Sequence, residues 1–210
     1  MSKKMNLLLL CSGEPSNHLV KAIKSKGHTF EVYKPQDLYL TISDGESGFD
    51  RIYDGNSSFE EPIRLKAKNY DAVISRIGDS LSHSATILRH LTENLGIYAT
   101  QSPDGLETAS NKLKTTQKLS YGGVQVPLTA YASNPIHIDF LINKVGGLPA
   151  IGKLLRGSQG KGVFILETPV AANTALESFS KLGASLKLQQ FIKADGKDID
   201  GTAWKKRFQS

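Results

Sequence analysis

Short apolar runs alternate along this chain with stretches of helical period, and Gly or Pro marks many of the joins. Residues 7–10 are four consecutive leucines, which predicts a strand buried on both faces, as in a parallel sheet. A turn over 11–15 follows, then a helix over 16–26 with Leu19, Val20 and Ile23 inward and Gly27 as its stop. Residues 28–33 give a second strand, completing a strand–helix–strand unit. Residues 35–40 read as a short helical turn. Residues 41–61, rich in Gly, Ser and Asp, read as a loop with room for a small hairpin. A strand at 70–75, a helix at 83–95 with Leu88, Leu91 and Leu95 on one side, and a strand at 97–100 follow. The expectation is an α/β domain built on an open parallel-type sheet of about four strands.

Beyond residue 100 the pattern changes. Ser102-Pro103 opens a helix with Leu106, Ala109 and Leu113 on one face, and a break is expected near Asn111. Gly122-Gly123 ends it. Residues 124–130 read as extended, with Pro127 at an edge or outside a ladder. A helix from 134, a turn over 146–149, strands at 150–155 and 163–166, a helix at 170–182 and a strand at 186–192 complete an α+β lobe. The division expected is 1–100 for the amino-terminal domain, 101–123 for a connecting helical segment, 124–193 for the lobe and 194–210 for a polar tail. No internal repeat is evident.

The chain has 210 residues and a formal net charge of +6, a weak nucleic-acid signal because many lysines fall on predicted helix faces. Lys205, Lys206 and Arg207, flanked by Trp204 and Phe208, could touch RNA or an acidic peptide, or simply form an amphipathic end. Aromatics are not interleaved along a basic face, which argues against nucleic acid. The single cysteine, Cys11, excludes an intrachain disulfide and a thiolate metal cluster. The apolar run after Lys3-Lys4 is too short for a signal peptide or a membrane span. Cytoplasm is the default compartment.

Candidate chemistry falls in two places. In an open α/β sheet, ligands gather beyond the carboxyl ends of strands, where Ser12, Gly13 and Arg76 fall; a structural ion pair is the alternative for Arg76. The stretch Gly157-Ser158-Gln159-Gly160-Lys161-Gly162 joins two probable antiparallel strands. Its glycines permit tight turns, and its N–H groups could cradle phosphate, although it matches neither common phosphate-loop pattern and could be only a turn. Lys153 sits between Ile151-Gly152 and Leu154-Leu155, where an ammonium needs an anion or a route to water.

Three stretches resemble the ATP-grasp superfamily, most closely its ribosomal-protein glutamate ligase branch. They are Asp71-Ala72-Val73-Ile74-Ser75-Arg76-Ile77-Gly78, Ser110-Asn111-Lys112-Leu113, and the run from Gly152 through Lys153 to Val163. The resemblance implies ATP held between two lobes, with Lys112 and Lys153 on its α- and β-phosphates. It implies the Gly157–Gly162 loop closing over the β- and γ-phosphates, and Gln190, Phe191 and Ile192 bordering the adenine. Gln190 stands where the family usually has Glu, and Asp200 where it usually has Arg. The implied reaction joins a carboxylate to an amine through an acylphosphate, with a small amino acid or a protein or peptide carboxyl terminus as substrate. Arg76 is the candidate substrate contact. The family's Mg2+ ligands lie in a longer carboxyl-terminal portion, and Asp195, Asp198 and Asp200 do not replace them, so no metal ligand is assigned. This chain alone is therefore expected to be a poor ligase. The alternative is a catalytically inactive nucleotide-binding regulatory or interaction protein. A homodimer or partner chain could supply what is missing.

Overall fold

Leu7, Leu8, Leu9 and Leu10 lie within β1 (Asn6–Cys11), and all four are buried. Leu8 and Leu10 point into one apolar cluster, Leu7 and Leu9 into another. A strand covered on both faces has no polar side, so its sequence is continuous rather than alternating. α1 (Asn17–Ser25) follows, capped at Ser16, whose hydroxyl accepts from the Leu19 N–H at 3.3 Å. β2 (Thr29–Tyr33) then pairs parallel with β1. The computed structural model describes residues 3–43, 51–58, 60–78, 81–156 and 162–193. They divide into two units between Asn111 and Lys112.

In the first unit, β3 (Leu38–Thr41), β4 (Arg51–Asp54) and β5 (Ile63–Leu65) form an antiparallel sheet where the sequence suggested loop and a small hairpin. Each strand buries one residue fully, Leu38, Ile52 and Leu65, which pack with Leu8, Leu10 and Val73, and β3 adds the partly buried Leu40. Strands this short are held by tertiary burial and leave little periodicity to read. β6 (Ala72–Arg76) pairs parallel with β1, giving the order β2-β1-β6. α2 (Leu81–Arg89) runs into a π-helical turn over His90–Asn94, together spanning the helix expected at 83–95.

The sheet differs from expectation at its far edge. Residues 97–100 do not form a fourth strand; the contact is one parallel bridge, Val73 to Ala99. The Val73 N–H donates to the Tyr98 carbonyl at 2.7 Å, and the Thr100 N–H donates to the Val73 carbonyl at 3.1 Å. The chain then leaves the edge, because Ser102 caps and Pro103 opens α3 (Pro103–Ala109).

The second unit begins with α4 (Lys112–Tyr121), just past the break expected at Asn111. β7 (Thr129–Tyr131), α5 (Ile138–Lys144), β8 (Ala150–Leu154), β9 (Val163–Leu166), α6 (Pro169–Lys181) and β10 (Leu186–Gln190) follow. The strands form an antiparallel sheet in the order β7-β10-β8-β9. β7 is an edge strand and Pro127 precedes it, in keeping with a residue that cannot donate to a ladder. Ala150, Leu166, Leu186 and Leu188 face Ile138, Ile142, Ala172 and Leu176 of α5 and α6. Among the described residues, no helix is long and apolar enough to cross a membrane.

Candidate functional site

Because side chains alternate along a strand, the face of the second sheet turned away from α5 and α6 carries the other half of each strand. Register fixes which residues meet there. Val163, Lys153, Lys187 and Tyr131 form one row across β9, β8, β10 and β7; Ile165, Ile151, Gln189 and Thr129 form the next. Val163 and Ile165 are exposed. Lysines and apolar side chains thus share a face that the unit's own core does not use.

Lys153 is half-buried, while Lys187 is only 3% exposed. The Lys187 Nζ donates to the Lys112 carbonyl at 3.0 Å and to the Thr116 hydroxyl. Thr116 in turn donates to the same carbonyl at 2.7 Å. The Lys112 N–H donates to the Leu155 carbonyl at 3.0 Å, so the start of α4 is tied to the end of β8 and, through Lys187, to β10. Burial pushes the Lys153 ammonium below the usual lysine range, and the charge of Lys112 adds to the effect. Lys187 is pushed down to about 8, first by burial, then by Lys153 and Lys112. Among the described residues, no carboxylate pairs with Lys153 or Lys187. Lys153 and Lys187, neighbouring ammonium groups that pair with no carboxylate among the described residues, make a place where an anion is favoured.

At the end of β8, Gly162 has φ +75°, and a Cβ there would come within 2.5 Å of the Leu154 side chain. The Leu154 N–H donates to the Gly162 carbonyl at 2.8 Å, closing the base of the hairpin. Gly157, Ser158, Gln159, Gly160 and Lys161 lie outside the described residues, as do Asp195, Asp198 and Asp200. Gln190 falls on the core face of β10, opposite Ala150, and its side-chain oxygen lies 3.5 Å from the Leu128 N–H. Its side chain therefore does not join the lysines. Phe191 and Ile192, just past β10, are both exposed.

Lys187 and Thr116 were not singled out in the sequence. The available signal was Lys187 between Leu186 and Leu188, the same flanking that marks Lys153.

In the first unit, Arg76 ends β6 opposite Cys11 of β1. The Gly78 N–H donates to the Ser12 hydroxyl at 3.1 Å, joining the two strand ends. Arg76 makes no ion pair among the described residues. It lines a cavity of about 620 Å³ with Ser75, Gly78, Gln101 and Ser102 among its walls. The Ser75 hydroxyl is buried there without a hydrogen-bond partner.

The described residues contain no group of three or more His, Cys, Asp or Glu side chains placed to hold a metal ion.

Comparison with known proteins accounts for most of the chain. Residues 5–106 match the RimK PreATP-grasp domain, and residues 109–200 match the RimK-like ATP-grasp domain. A probable alpha-L-glutamate ligase 2 of Shewanella sp. (strain W3-18-1) is 34% identical over 199 residues, covering 93% of this chain and 62% of that protein. A probable alpha-L-glutamate ligase 1 of Shewanella baltica (strain OS185) is 35% identical with the same coverage. The chain thus spans about 62% of the length of these curated relatives. A RimK domain protein ATP-grasp from Sphaerobacter thermophilus DSM 20745 superposes with a TM-score of 0.65 at 20% identity, over 90% of this chain and 65% of that one. D-alanyl-alanine synthetase A from Vibrio cholerae gives 0.59 at 17% identity, over 92% and 61%. These structures speak to the fold alone. With both parts of the chain matched in order by RimK domains, the protein belongs to the RimK-like branch of the ATP-grasp superfamily.

Proposed function

We propose that this chain carries the ATP-binding part of a carboxylate–amine ligase, and that the nucleotide lies on the lysine-bearing face of the second sheet. The observation that carries this reading is that Lys153, half-buried on that face, has no carboxylate partner among the described residues, while the charge of Lys112 acts on it. Both lysines would hold the α- and β-phosphates. The exposed Val163 and Ile165 give the same face an apolar strip, and Gly157 to Gly162, which join β8 to β9 in the sequence, would close over the β- and γ-phosphates. The main chain at Phe191 and Ile192 would border the adenine.

The reaction has two steps. A substrate carboxylate oxygen attacks the γ-phosphorus, and the bond to the β,γ-bridging oxygen breaks, releasing ADP and leaving an acylphosphate. An amine then attacks the acyl carbon, loses a proton and expels phosphate. Fixed ammonium groups and N–H donors stabilise charge on the phosphoryl oxygens as it shifts. No step is assigned to Mg2+. The Arg76 cavity, with a guanidinium and an unpartnered hydroxyl, suits the carboxylate of a small amino acid or of a peptide terminus. The names of the relatives make glutamate the first amino acid to try.

Hydroxylamine trapping tests this reading, because it captures an acylphosphate whatever the natural amine. The full chain is incubated with ATP, Mg2+, hydroxylamine and a panel of amino acids and peptides. Slow hydroxamate formation with wild type, as expected of a chain that is a poor ligase by itself, and its loss with Lys153→Ala are the expected result. Binding of ATP with no hydroxamate from any carboxylate would leave a nucleotide-binding protein without ligase chemistry.

A further inference from the structure

A lysine buried in a strand usually carries its charge to water or to a carboxylate; Lys187 does neither among the described residues. It is 3% exposed, and its Nζ is spent on the carbonyl of Lys112 and the hydroxyl of Thr116. Every element around it can be searched for a compensating charge. β8 presents Lys153, directly opposite; α4 presents Lys112 and Thr116; β7 presents the Tyr131 phenol in register. α6 packs on the other side of β10, against Leu186 and Leu188, through Ala172 and Leu176. The charges that act on the Lys187 ammonium are those of Lys153 and Lys112, both cationic, and they add to the burial that disfavours it.

Two consequences follow from one arrangement. The Lys187 amine ties the first turn of α4 to the sheet, so it helps fix where Lys112 stands relative to Lys153. Its protonation also depends on what occupies the face beside it. A polyphosphate brought up to Lys112 and Lys153 would offset the repulsion that makes the third ammonium costly.

We propose that Lys187 is a positioning residue that takes up a proton from solvent when a nucleoside triphosphate binds beside Lys112 and Lys153, coupling nucleotide capture to charging of the strut between β10 and α4. The proton passes from the buffer acid to Nζ, and no covalent bond changes. This rests on the reading of the site as nucleotide-binding.

Calorimetry of ATP binding to the full chain near pH 8.5, in Tris and in EPPS, measures the protons taken up, because the two buffers differ in ionisation enthalpy. With the free amine titrating near 8, full charging in the complex takes up about 0.8 proton at Lys187. Lys187→Met, which cannot be protonated, and Lys187→Arg, charged throughout, should each lose that share of the uptake. Any contribution from Lys153 or from ATP itself remains in all three proteins and cancels in the comparison. If Lys187→Met fails to fold, Lys187→Arg decides alone. A merely structural lysine predicts altered affinity in the variants with unchanged proton uptake, and that result overturns the inference while leaving the nucleotide site intact. No ATP binding by wild type at any pH overturns the site reading, and the inference falls with it.

Discussion

Lys153 and Lys187 stand directly opposite each other on β8 and β10, two cations on the same side of one antiparallel pair. Like charges so placed destabilise a sheet. Both amines bind protons less readily than a free lysine, chiefly through burial. A fold gains nothing from this pair by itself; a phosphate-bearing ligand makes sense of it.

The same pair makes stability depend on pH in a defined direction. Lys187 titrates at about 8 in the folded chain against 10.5 for an ordinary lysine. Between those values the unfolded chain keeps a proton that the folded chain has released, so the penalty is fully present below about 8 and fades towards 10.5. Urea midpoints of wild type and Lys187→Met, measured from neutral pH upward, should show the difference moving in favour of wild type as pH rises. Comparing the two proteins cancels the titrations of Cys11, Tyr33 and Tyr70. A difference that stays flat would contradict the buried-amine account.

Gly152 tests the core face of the same sheet. A Cβ at this position would sit 2.4 Å from the Phe164 ring, which stacks on Phe179 with centroids 5.5 Å apart. The ring must shift out of its stacked position for the methyl to fit, so Gly152→Ala should cost about 1–3 kcal/mol. Combining it with Phe164→Leu should return part of the loss in a denaturant titration. A neutral Gly152→Ala would mean the ring moves freely.

Arg76 separates acceptor recognition from nucleotide binding. Arg76→Gln should leave ATP affinity unchanged and lower hydroxamate formation by about 10- to 100-fold, the size expected for one lost charged hydrogen bond or a bidentate pair. Equal loss of ATP binding would assign Arg76 to the nucleotide instead.

Much of this was legible along the chain because the signals are local. The four leucines of β1, Ser102-Pro103 at the start of α3, the break near Asn111 and the placement of Pro127 each follow from a few neighbouring residues. Lys153 stood out by its apolar flanks. What could not be read was register. Lys187 meets Lys153 only because β10 returns beside β8 after β9 and α6 have intervened, and no local pattern states that alignment. The edge of the first sheet was misjudged for a related reason: residues 97–100 have strand-like composition, but the cap and proline that follow draw the chain away after one bridge. Gln190 illustrates the converse, since alternation from Lys187 was enough to put its side chain on the core face once the strand was placed.

The central claim is that nucleotide binds on the face that carries Lys153. Calorimetry with ATP on wild type, Lys153→Ala and Lys144→Ala tests it most directly, Lys144 being a lysine of α5 whose ammonium lies over the Phe140 ring. Loss of one charged hydrogen bond to phosphate should weaken binding by about tenfold or more in Lys153→Ala, with Lys144→Ala indistinguishable from wild type. Equal affinity in wild type and Lys153→Ala would contradict the account.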